Sequence, residues 1–399
     1  MRGPSVSADS SAARGELAAH WALDPQVRYL NHGSFGACPR AVLEAQAALR
    51  REMEREPVDF LVGALPARLA AARQALARFL GAKDSDLVFV PNATTGVNAV
   101  LRSLEWRAGD ELLLTNHTYP ACRKAAEYIT GRSGARVVIA ELPFPLCDPQ
   151  HAAEAVLEAS SPHTRLALLD HVTSPSALVL PVETLVRTLE STGIQTLIDG
   201  AHAPGMVPLD LDSLGASYYT GNAHKWLCAP KGAGFLHVRR DRQEAIHPTV
   251  ISHGYPSGMQ AEFDWPGTFD PTAWLSIPDA LEFLGCLLPG GWPELMARNH
   301  ALALAGRTRI AQILEIEPPC PDSMIGAMAS LRLPAPAPGS VAATLDEKGL
   351  HDWLRAQDVE GALFAEPLPL LRISAQLYNR LEDYEHLARL LRRALLHVR

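Results

Sequence analysis

Short apolar runs alternate with longer amphipathic stretches along the first two thirds of the chain. The apolar runs predict seven strands, at Leu87–Val90, Glu111–Thr115, Arg136–Ala140, Leu166–Asp170, Thr196–Asp199, Ser217–Gly221 and Gly234–Val238. The amphipathic stretches predict helices at Arg40–Glu56, Pro66–Leu80, Gly96–Leu104, Pro120–Gly131, Gln150–Ala159 and Val182–Thr192. This alternation is typical of an α/β fold, in which helices cover both faces of one sheet.

The pattern changes after about residue 275. Residues 279–315 predict two helices separated by Leu288–Gly291, and the proline-rich residues 317–338 predict a loop and an edge strand. A strand at Leu370–Ser374 and a terminal helix at Leu381–Leu396 are predicted to follow.

We therefore expect a large domain at residues 16–274 and a small α+β domain at 275–399, with the N-terminal segment of the large domain packed on the small one. Residues 1–15 are rich in Ser, Ala and Gly and lack an apolar core segment, so we expect them to be disordered and not to form a signal peptide.

Composition narrows the function classes. The 399 residues are 47% hydrophobic and 20% charged, with a net charge of −8, which provides no basic surface for nucleic acid. No apolar run is long enough to span a bilayer. The six cysteines show no C-x-x-C pair or regular spacing, which favours reduced thiols in a cytoplasmic protein over disulfides or a metal centre.

One lysine and one aspartate suggest specific chemistry. Lys225 lies in Thr220–Leu227 (TGNAHKWL), shortly after Asp199 in Ile198–Gly205 (IDGAHAPG). A lysine amine can form a Schiff base with pyridoxal 5′-phosphate (PLP), and a carboxylate can keep the pyridine nitrogen protonated. Asp199 ends an apolar strand, and ligands of open α/β sheets bind at the carboxyl ends of strands. A solvated lysine and a helix-capping aspartate are the alternatives.

Other polar groups follow strands in the same way. Thr94 and Thr95 stand at a strand–turn–helix junction, where free N–H groups and hydroxyls suit a phosphate, although an ordinary N-cap is the more frequent meaning. His202 is a candidate partner for a ring hydroxyl. Tyr119, and after it His117, are candidates for stacking on a pyridine ring and moving protons; structural roles remain open for these three.

Two further segments suggest substrate binding. Arg372 stands inside an apolar strand, where a buried guanidinium needs a partner: a substrate carboxylate or an internal salt bridge. Asn31 and His32 belong to the glycine-rich loop Tyr29–Gly36, which is expected either to line a substrate entrance or to form a simple turn.

With these residues assembled, the chain resembles the class V aminotransferase family of fold-type I PLP enzymes, in its isopenicillin N epimerase-like and C–S lyase branch. The motifs that carry the resemblance are YLNHGSFG (29–36), EPVDF (56–60), NATTGVN (92–98), IDGAHAPG (198–205), GNAHKWL (221–227), GAGFL (232–236) and LRISA (371–375). They extend over nearly the whole chain. The resemblance implies a large domain with a mostly parallel seven-stranded sheet, a small C-terminal domain, and PLP as the cofactor.

The resemblance also implies roles for residues of this sequence. It implies Lys225 as the Schiff-base lysine, Asp199 on the pyridinium, His202 on the ring hydroxyl, Tyr119 facing the ring, Arg372 on the substrate carboxylate, and Thr94, Thr95, Asn222 and His224 on the phosphate. Thr268 matches a threonine that reaches the phosphate of a neighbouring subunit, which implies a homodimer with sites at the interface.

Two positions depart from the pattern of the family. Phe269 stands where relatives often carry arginine, so the wall of the substrate pocket is expected to differ. Cys320 lies among three prolines, unlike the cysteine on the mobile loop of desulfurases, which disfavours persulfide chemistry.

The expected function is removal of the Cα proton of an amino-acid substrate by Lys225. Loss of a Cβ thiolate would make the protein a C–S (cysteine-conjugate) β-lyase, which is the preferred interpretation. Reprotonation on the opposite face, by Tyr119 or His117, would make it an epimerase, and reprotonation on the cofactor an aminotransferase. A non-enzymatic binding protein of the same fold is the remaining alternative, and it would not need the lysine, the aspartate and the phosphate cradle together.

Overall fold

The computed structural model describes residues 16–365 and 369–396, so the disorder expected at residues 1–15 falls outside the described part of the chain. Its strands are β1 (Arg28–Tyr29), β2 (Leu87–Val90), β3 (Glu111–Thr115), β4 (Arg136–Ala140), β5 (Thr164–Asp170), β6 (Gln195–Gly200), β7 (Tyr218–Asn222), β8 (Gly234–Val238), β9 (Met328–Arg332), β10 (Val359–Glu360), β11 (Ala362–Phe364) and β12 (Leu370–Ser374). Its helices are α1 (Arg40–Arg55), α2 (Leu65–Leu80), α3 (Ala93–Ser103), α4 (Pro120–Ser133), α5 (Pro149–Ala159), α6 (Val182–Ser191), α7 (Leu211–Leu214), α8 (Met259–Asp264), α9 (Thr272–Leu275), α10 (Ile277–Cys286), α11 (Gly291–Leu314), α12 (Glu347–Arg355) and α13 (Leu381–Leu395).

The seven predicted strands form one central sheet in the order β2-β8-β7-β6-β5-β3-β4. Strands β3 to β7 are parallel to one another, and only β8 runs antiparallel to both of its neighbours. The sequence-based prediction of an α/β fold with a mostly parallel sheet is therefore confirmed.

Both faces of this sheet are covered, which explains why its strands are apolar at nearly every position. On one face Val88, Leu112 and Leu168 belong to a cluster that includes residues of α3 and α4. On the other, Phe89 and Leu113 pack into a larger cluster with residues of α2 and α6.

The C-terminal part contains a three-stranded antiparallel sheet in the order β11-β12-β9, flanked by α11 and α13. The edge strand predicted within 317–338 is β9 (Met328–Arg332). The N-terminal segment reaches this part through β1, since Arg28 and Tyr29 pair in parallel with Val359 and Glu360. The domain boundary near residue 275 stays a prediction, because the larger hydrophobic cluster contains residues from both sides of it.

Short elements escaped the sequence analysis. Helix α12 was not predicted, because it buries only Leu350 and Leu354 and contains Gly349 in its first turn. Strands β10 and β11 contain two and three residues, too few to show an alternating pattern. None of the helices in the described residues is long and apolar enough to cross a membrane.

The parallel arrangement places the site. Because β5, β6 and β7 run in the same direction, Asp170, Gly200 and Asn222, with which they end, lie along one edge of the sheet. The first turn of α3 and the N-terminal loop around Ser34 meet the same edge. Binding sites of α/β proteins form at such carboxyl edges.

Candidate active site

A cavity of about 530 Å³ opens at this edge of the sheet. It is lined by Ser34, Phe35, Asn92, Ala93, Thr94, Thr95, Tyr119, Asp170, Val172, Ser174, Asp199, Ala201, His202, Asn222, His224 and Lys225. A cavity of similar size, about 570 Å³, lies at the side of α6 and α7, but the predicted site residues do not line it. The volume of the first cavity is in the range usual for small-molecule sites.

Lys225 lies three residues beyond β7, on the turn that carries it into the cavity wall. Its Nζ lies 3.1 Å from Nε2 of His202. Burial, and secondarily repulsion from Arg372, lower the pKa of Lys225 from 10.5 to about 7, against an opposing effect of Asp199. The amine is therefore available in its neutral, nucleophilic form near neutral pH.

The N-terminal loop Tyr29–Gly36 packs against the backbone of the turn that carries Lys225. His32 is fully buried; its Nε2 bonds the Lys225 carbonyl oxygen at 3.0 Å, and its Nδ1 bonds the Tyr378 hydroxyl at 2.7 Å. Gly36 comes so close that an added Cβ would lie 2.5 Å from the Lys225 carbonyl oxygen. His32 does not line the cavity, and its contacts position the turn that carries Lys225; its predicted contact with a substrate stays a prediction.

Two buried carboxylates lie side by side at the edge, since Asp170 and Asp199 are partners in the β5–β6 register. Asp199 accepts hydrogen bonds from the Cys122 thiol at 3.2 Å and the Ala201 N–H at 3.0 Å. Oδ2 of Asp170 has no hydrogen-bond partner among the described residues. Burial raises the pKa of both carboxyls, and the negative charge of Asp199 raises that of Asp170 further. Lys225 acts in the opposite direction on both pKa values.

The two histidines of the cavity are neutral. Burial lowers the pKa of His202 well below its usual range, with a further effect from Lys225. Nδ1 of His202 is buried and has no hydrogen-bond partner within the described chain. His224 donates from Nδ1 to the Ala233 carbonyl at 2.8 Å, and burial lowers its pKa to about 4. Its Nε2 is then the acceptor nitrogen.

The start of α3 forms the polar end of the cavity. Oδ1 of Asn92 caps the helix by accepting from the Thr95 N–H at 2.9 Å and from its hydroxyl at 3.1 Å. The Ala93 N–H donates to Oδ1 of Asn222 at 2.8 Å, which ties the helix start to the end of β7. With Thr94 beside them, these groups place the positive end of the helix dipole at the cavity, which favours an anion such as phosphate.

Arg372, on β12, lies behind the cavity lining, is almost completely buried, and has no counter-ion among the described residues. Its guanidinium donates to the Ser174 carbonyl at 2.8 Å, to the Ser34 hydroxyl at 2.6 Å and to Oδ1 of Asn31 at 3.3 Å. No carboxylate of the described residues lies within 4.0 Å of its nitrogens, so the alternative of an internal salt bridge finds no support there. Burial lowers the pKa of Arg372 to about 10. A buried, unpaired guanidinium of this kind suits a ligand carboxylate.

The Asn31 side chain is hydrogen-bonded to both Arg372 and Glu360. Its Oδ1 accepts from the guanidinium, while its Nδ2 donates to Oε1 of Glu360 at 3.4 Å. Asn31 does not line the cavity, so its contact with a substrate stays a prediction, and its observed role is to orient Arg372.

The remaining predicted residues are spread more widely. Tyr119 lines the cavity, is 40% exposed, and has its pKa raised mainly by burial. His117 lies outside the lining and bonds the Ser176 hydroxyl at 2.7 Å. Thr268 is exposed and also outside the lining, so its predicted contact with a neighbouring subunit stays a prediction. Phe269 packs on Trp274 with ring centroids 4.8 Å apart.

Three contributors were missed by the sequence analysis. Asp170 ends an apolar strand just as Asp199 does, and applying the same rule to it would have found it. Cys122 and Ser174 gave no sequence signal, because each acts through a contact with a residue distant in sequence. The Cys122 thiol donates to Asp199, and the Ser174 carbonyl accepts from Arg372.

The residues present fit PLP. An amine with a lowered pKa, a buried carboxylate beside it, and a helix start with two threonines are the donor set that an aldehyde, a pyridinium nitrogen and a phosphate require. The orphaned Nδ1 of His202 is a further buried polar group open to a ligand.

The chain is similar to known proteins over most of its length. A family model described as aminotransferase class-V matches residues 39–387. Isopenicillin N epimerase of Streptomyces clavuligerus is 36% identical over 400 residues, covering 96% of this chain and 97% of that protein. Putative L-cysteine desulfhydrase 1 of Oryza sativa subsp. japonica is 32% identical over 402 residues, covering 90% and 82%. A solved structure of the cystine C–S lyase C-DES with its product cysteine persulfide superposes with a TM-score of 0.79 at 23% identity, covering 92% and 97%.

Proposed function

Because the chain belongs to the class-V aminotransferase family and is a PLP-dependent enzyme, we propose that it is a C–S lyase that eliminates a thiol from a cysteine-type L-amino acid. The observation that carries this proposal is that Lys225 and Asp199 line one cavity whose wall residues Ser34 and Ser174 are hydrogen-bonded to Arg372. The products would be the thiol, pyruvate and ammonia, with one water consumed, after the Cα–H and Cβ–S bonds break.

Arg372 binds and orients the substrate. Its guanidinium is fixed by hydrogen bonds to Ser174, Ser34 and Asn31 and lacks a charged partner among the described residues. An α-carboxylate would supply two acceptor oxygens and the missing negative charge. Orientation of this kind lowers the barrier by holding Cα near the base.

Lys225 moves the proton. With its pKa lowered to about 7, Nζ accepts the Cα proton near neutral pH, which is the range where a general base is most effective. Bound PLP supplies the electron sink for the pair that this proton transfer releases. Burial raises the pKa of Asp199 and Lys225 lowers it; a positive pyridinium placed beside this carboxylate would lower its pKa further and would itself be stabilised.

Tyr119 would serve the leaving group. It lines the cavity, and burial raises the pKa of its hydroxyl above the ordinary value of 10, which keeps the hydroxyl neutral at physiological pH. A neutral hydroxyl can donate a proton or a hydrogen bond to a departing thiolate. No cysteine lies in the cavity lining formed by the described residues, and Cys320 is buried with Arg307 on its carbonyl, which supports elimination over persulfide transfer.

Epimerisation is the second candidate, favoured by the 36% identity to isopenicillin N epimerase. It requires an acid on the face of Cα opposite Lys225. Of the two residues predicted for that role, His117 lies outside the cavity and is bonded to Ser176, which leaves Tyr119 alone. Transamination ranks third, because no feature of the cavity favours it over the other two reactions.

The test is a product assay on the purified enzyme loaded with PLP. L-cysteine, S-substituted cysteines and sulfur-free amino acids are supplied separately, and thiol, pyruvate, D-isomer and α-deuterium exchange in D2O are measured. Thiol and pyruvate in equal amounts, formed only from sulfur-bearing substrates, support the lyase. Accumulation of the D-isomer without pyruvate would overturn it in favour of the epimerase. Lys225→Ala should abolish either reaction.

We also propose a cytoplasmic homodimer. The exposed position of Thr268 outside its own cavity supports a role in a neighbouring subunit, and the six cysteines, all free, support a reducing compartment. Sedimentation of the PLP-loaded enzyme, and mixing of Lys225→Ala with Thr268→Ala subunits, test the shared site. The mixture should be more active than the same amount of Thr268→Ala alone, and no gain on mixing would contradict it.

A further inference from the structure

Three side chains at the other end of the central sheet form a cluster that the proposed reaction does not use. Asp86 immediately precedes β2, His237 lies near the end of β8, and Asp212 lies in the first turn of α7. One ligand atom from each lies within 4.8 Å of the other two. Gly234, at the cavity end of β8, is three residues from His237, so the cluster lies roughly 10 Å from the cavity edge along the strand.

His237 is the unusual member of the cluster. It is 3% exposed, and neither of its ring nitrogens has a hydrogen-bond partner among the described residues. Burial keeps the pKa of the imidazole below its usual value, although both aspartates act to raise it. A buried imidazole with both nitrogens unpaired loses the hydrogen bonds that it would make in water. A ligand atom beyond the protein's own atoms would satisfy one of these nitrogens.

The two aspartates approach the His237 ring from different elements, Asp86 from the start of β2 and Asp212 from α7. Asp86 is 5% exposed, and its Oδ1 is oriented by the Gln243 amide at 2.8 Å and by the Ser85 hydroxyl at 3.0 Å. Oδ1 of Asp212 lies 4.0 Å from Nε2 of His237, beyond hydrogen-bond distance, and its side chain is 41% exposed. The backbone of Asp212 is anchored by its N–H on the Gly81 carbonyl.

We propose that Asp86, Asp212 and His237 bind one divalent transition-metal ion, for which Zn²⁺ is the best match. Zinc accepts imidazole nitrogen and carboxylate oxygen at about 2.0–2.2 Å, whereas Ca²⁺ and Mg²⁺ take oxygen ligands. At those bond lengths neighbouring ligand atoms lie roughly 3.4 Å apart in a tetrahedron, so the 4.0 Å between Asp212 and His237 must shorten by about 0.6 Å, and no separation within the cluster by more than about 1.4 Å. The exposed side chain of Asp212 is free to rotate by that amount. Water would occupy the fourth position.

A bound ion would join three segments that are distant in sequence: the start of β2, the end of β8 and α7. Gln243 and Ser85 would keep the Asp86 carboxylate in place, as hydrogen bonds from outside the ligand set commonly do. The ion would be structural, because the cluster does not border the cavity. It would stabilise the folded protein in proportion to the free metal concentration, since the unfolded chain lacks the assembled site.

The test uses the PLP-loaded enzyme after treatment with a chelator and removal of the chelator. Calorimetric titration with ZnCl2 is expected to show one site per chain that is lost or weakened at least about tenfold in Asp212→Asn and His237→Gln. The matched control is Glu244→Gln, which removes an exposed carboxylate from the same surface without touching the cluster. It should bind zinc as the wild type does. Zinc bound by the exposed thiols of Cys147 and Cys286 would be the same in every variant, so only binding at the cluster would differ between them.

Thermal unfolding gives an independent measurement. Saturating ZnCl2 should raise the midpoint of the wild type and of Glu244→Gln by a few degrees and leave Asp212→Asn unchanged, while the PLP absorbance stays constant. CaCl2 should have no effect. Absence of a zinc site in the wild type, equal binding by Asp212→Asn, or equal response to calcium would each overturn the proposal. Asp212 is on the surface, so its variant decides the question even if His237→Gln does not fold.

Discussion

Replacement of Gly36 by alanine tests how the Lys225 turn is positioned. A Cβ at position 36 would lie 2.5 Å from the carbonyl oxygens of His224 and Lys225 and 2.8 Å from Cα of Lys225. All three contacts are with backbone atoms, which cannot rotate away. The ordinary limit for such contacts is 3.4 Å, so the loop and the turn must separate by up to about 0.9 Å.

The size of the effect follows from that displacement. A misplacement of about 1 Å of a reacting group can lower a rate by ~100-fold. We therefore expect Gly36→Ala to lower kcat roughly 10- to 100-fold, equivalent to about 1.4–2.7 kcal/mol of activation free energy. Overpacking of this kind also lowers the free energy of unfolding by about 1–3 kcal/mol.

The assay is thiol release from an S-substituted cysteine, together with the absorbance of the bound cofactor and the thermal midpoint. Gly131→Ala, within α4, is the matched control, because its added Cβ would meet no atom within 4 Å. The control should keep wild-type kcat and cofactor absorbance. If Gly36→Ala has the same kcat and absorbance as Gly131→Ala, the idea that this close approach fixes Lys225 is refuted.

The remaining predictions concern charges and hydrogen bonds around the cavity. Arg372→Lys should raise KM for the amino acid about 10- to 100-fold, as expected for a lost charge-assisted bidentate contact, and an unchanged KM would contradict carboxylate binding there. Because the pKa of Lys225 is about 7 when folded and 10.5 as its ordinary value, the unfolded chain binds more protons between these values. The thermal stability of the cofactor-free protein should therefore rise with pH across that window, and less so in Lys225→Met; equal slopes would refute this. Cys122→Ala removes the thiol bond to Asp199 and should weaken PLP binding about fivefold in an absorbance titration, whereas unchanged binding would show that the bond is incidental.

The lysine and the aspartate were predictable because their signal is local. Asp199 lies at the carboxyl end of β6 and Lys225 comes three residues after β7, and parallel topology brings such positions to one edge of the sheet. The start of α3 was predicted slightly wrongly. The helix was expected to begin near Gly96, but it begins at Ala93, directly after its N-cap Asn92. The polar residues Thr94 and Thr95 give its first turn no amphipathic pattern.

The roles of the histidines were not predictable in this way. A substrate contact of His32 stays a prediction, whereas its observed position, between Tyr378 and the backbone of Lys225, depends on contacts at sequence separations of 346 and 193 residues. His117 follows β3 as predicted and then turns to Ser176, out of the cavity. The role of a histidine depends on which residues surround it in the folded protein, and the sequence around the histidine does not show which residues these are.

The hydrogen bond between Arg372 and Asn31 joins residues 341 positions apart, whereas the bond between Asn222 and Ala93 spans 129. The entropy of closing the longer loop exceeds that of the shorter by only about 0.9 kcal/mol, so chain length alone hardly separates the two events in folding. During synthesis the two bonds become possible at different times, because Asn222 is added to the growing chain about 150 residues before Arg372. If the start of α3 holds the phosphate and Arg372 the substrate carboxylate, as proposed, the residues of the cofactor cradle are made before the residue that would hold an amino acid.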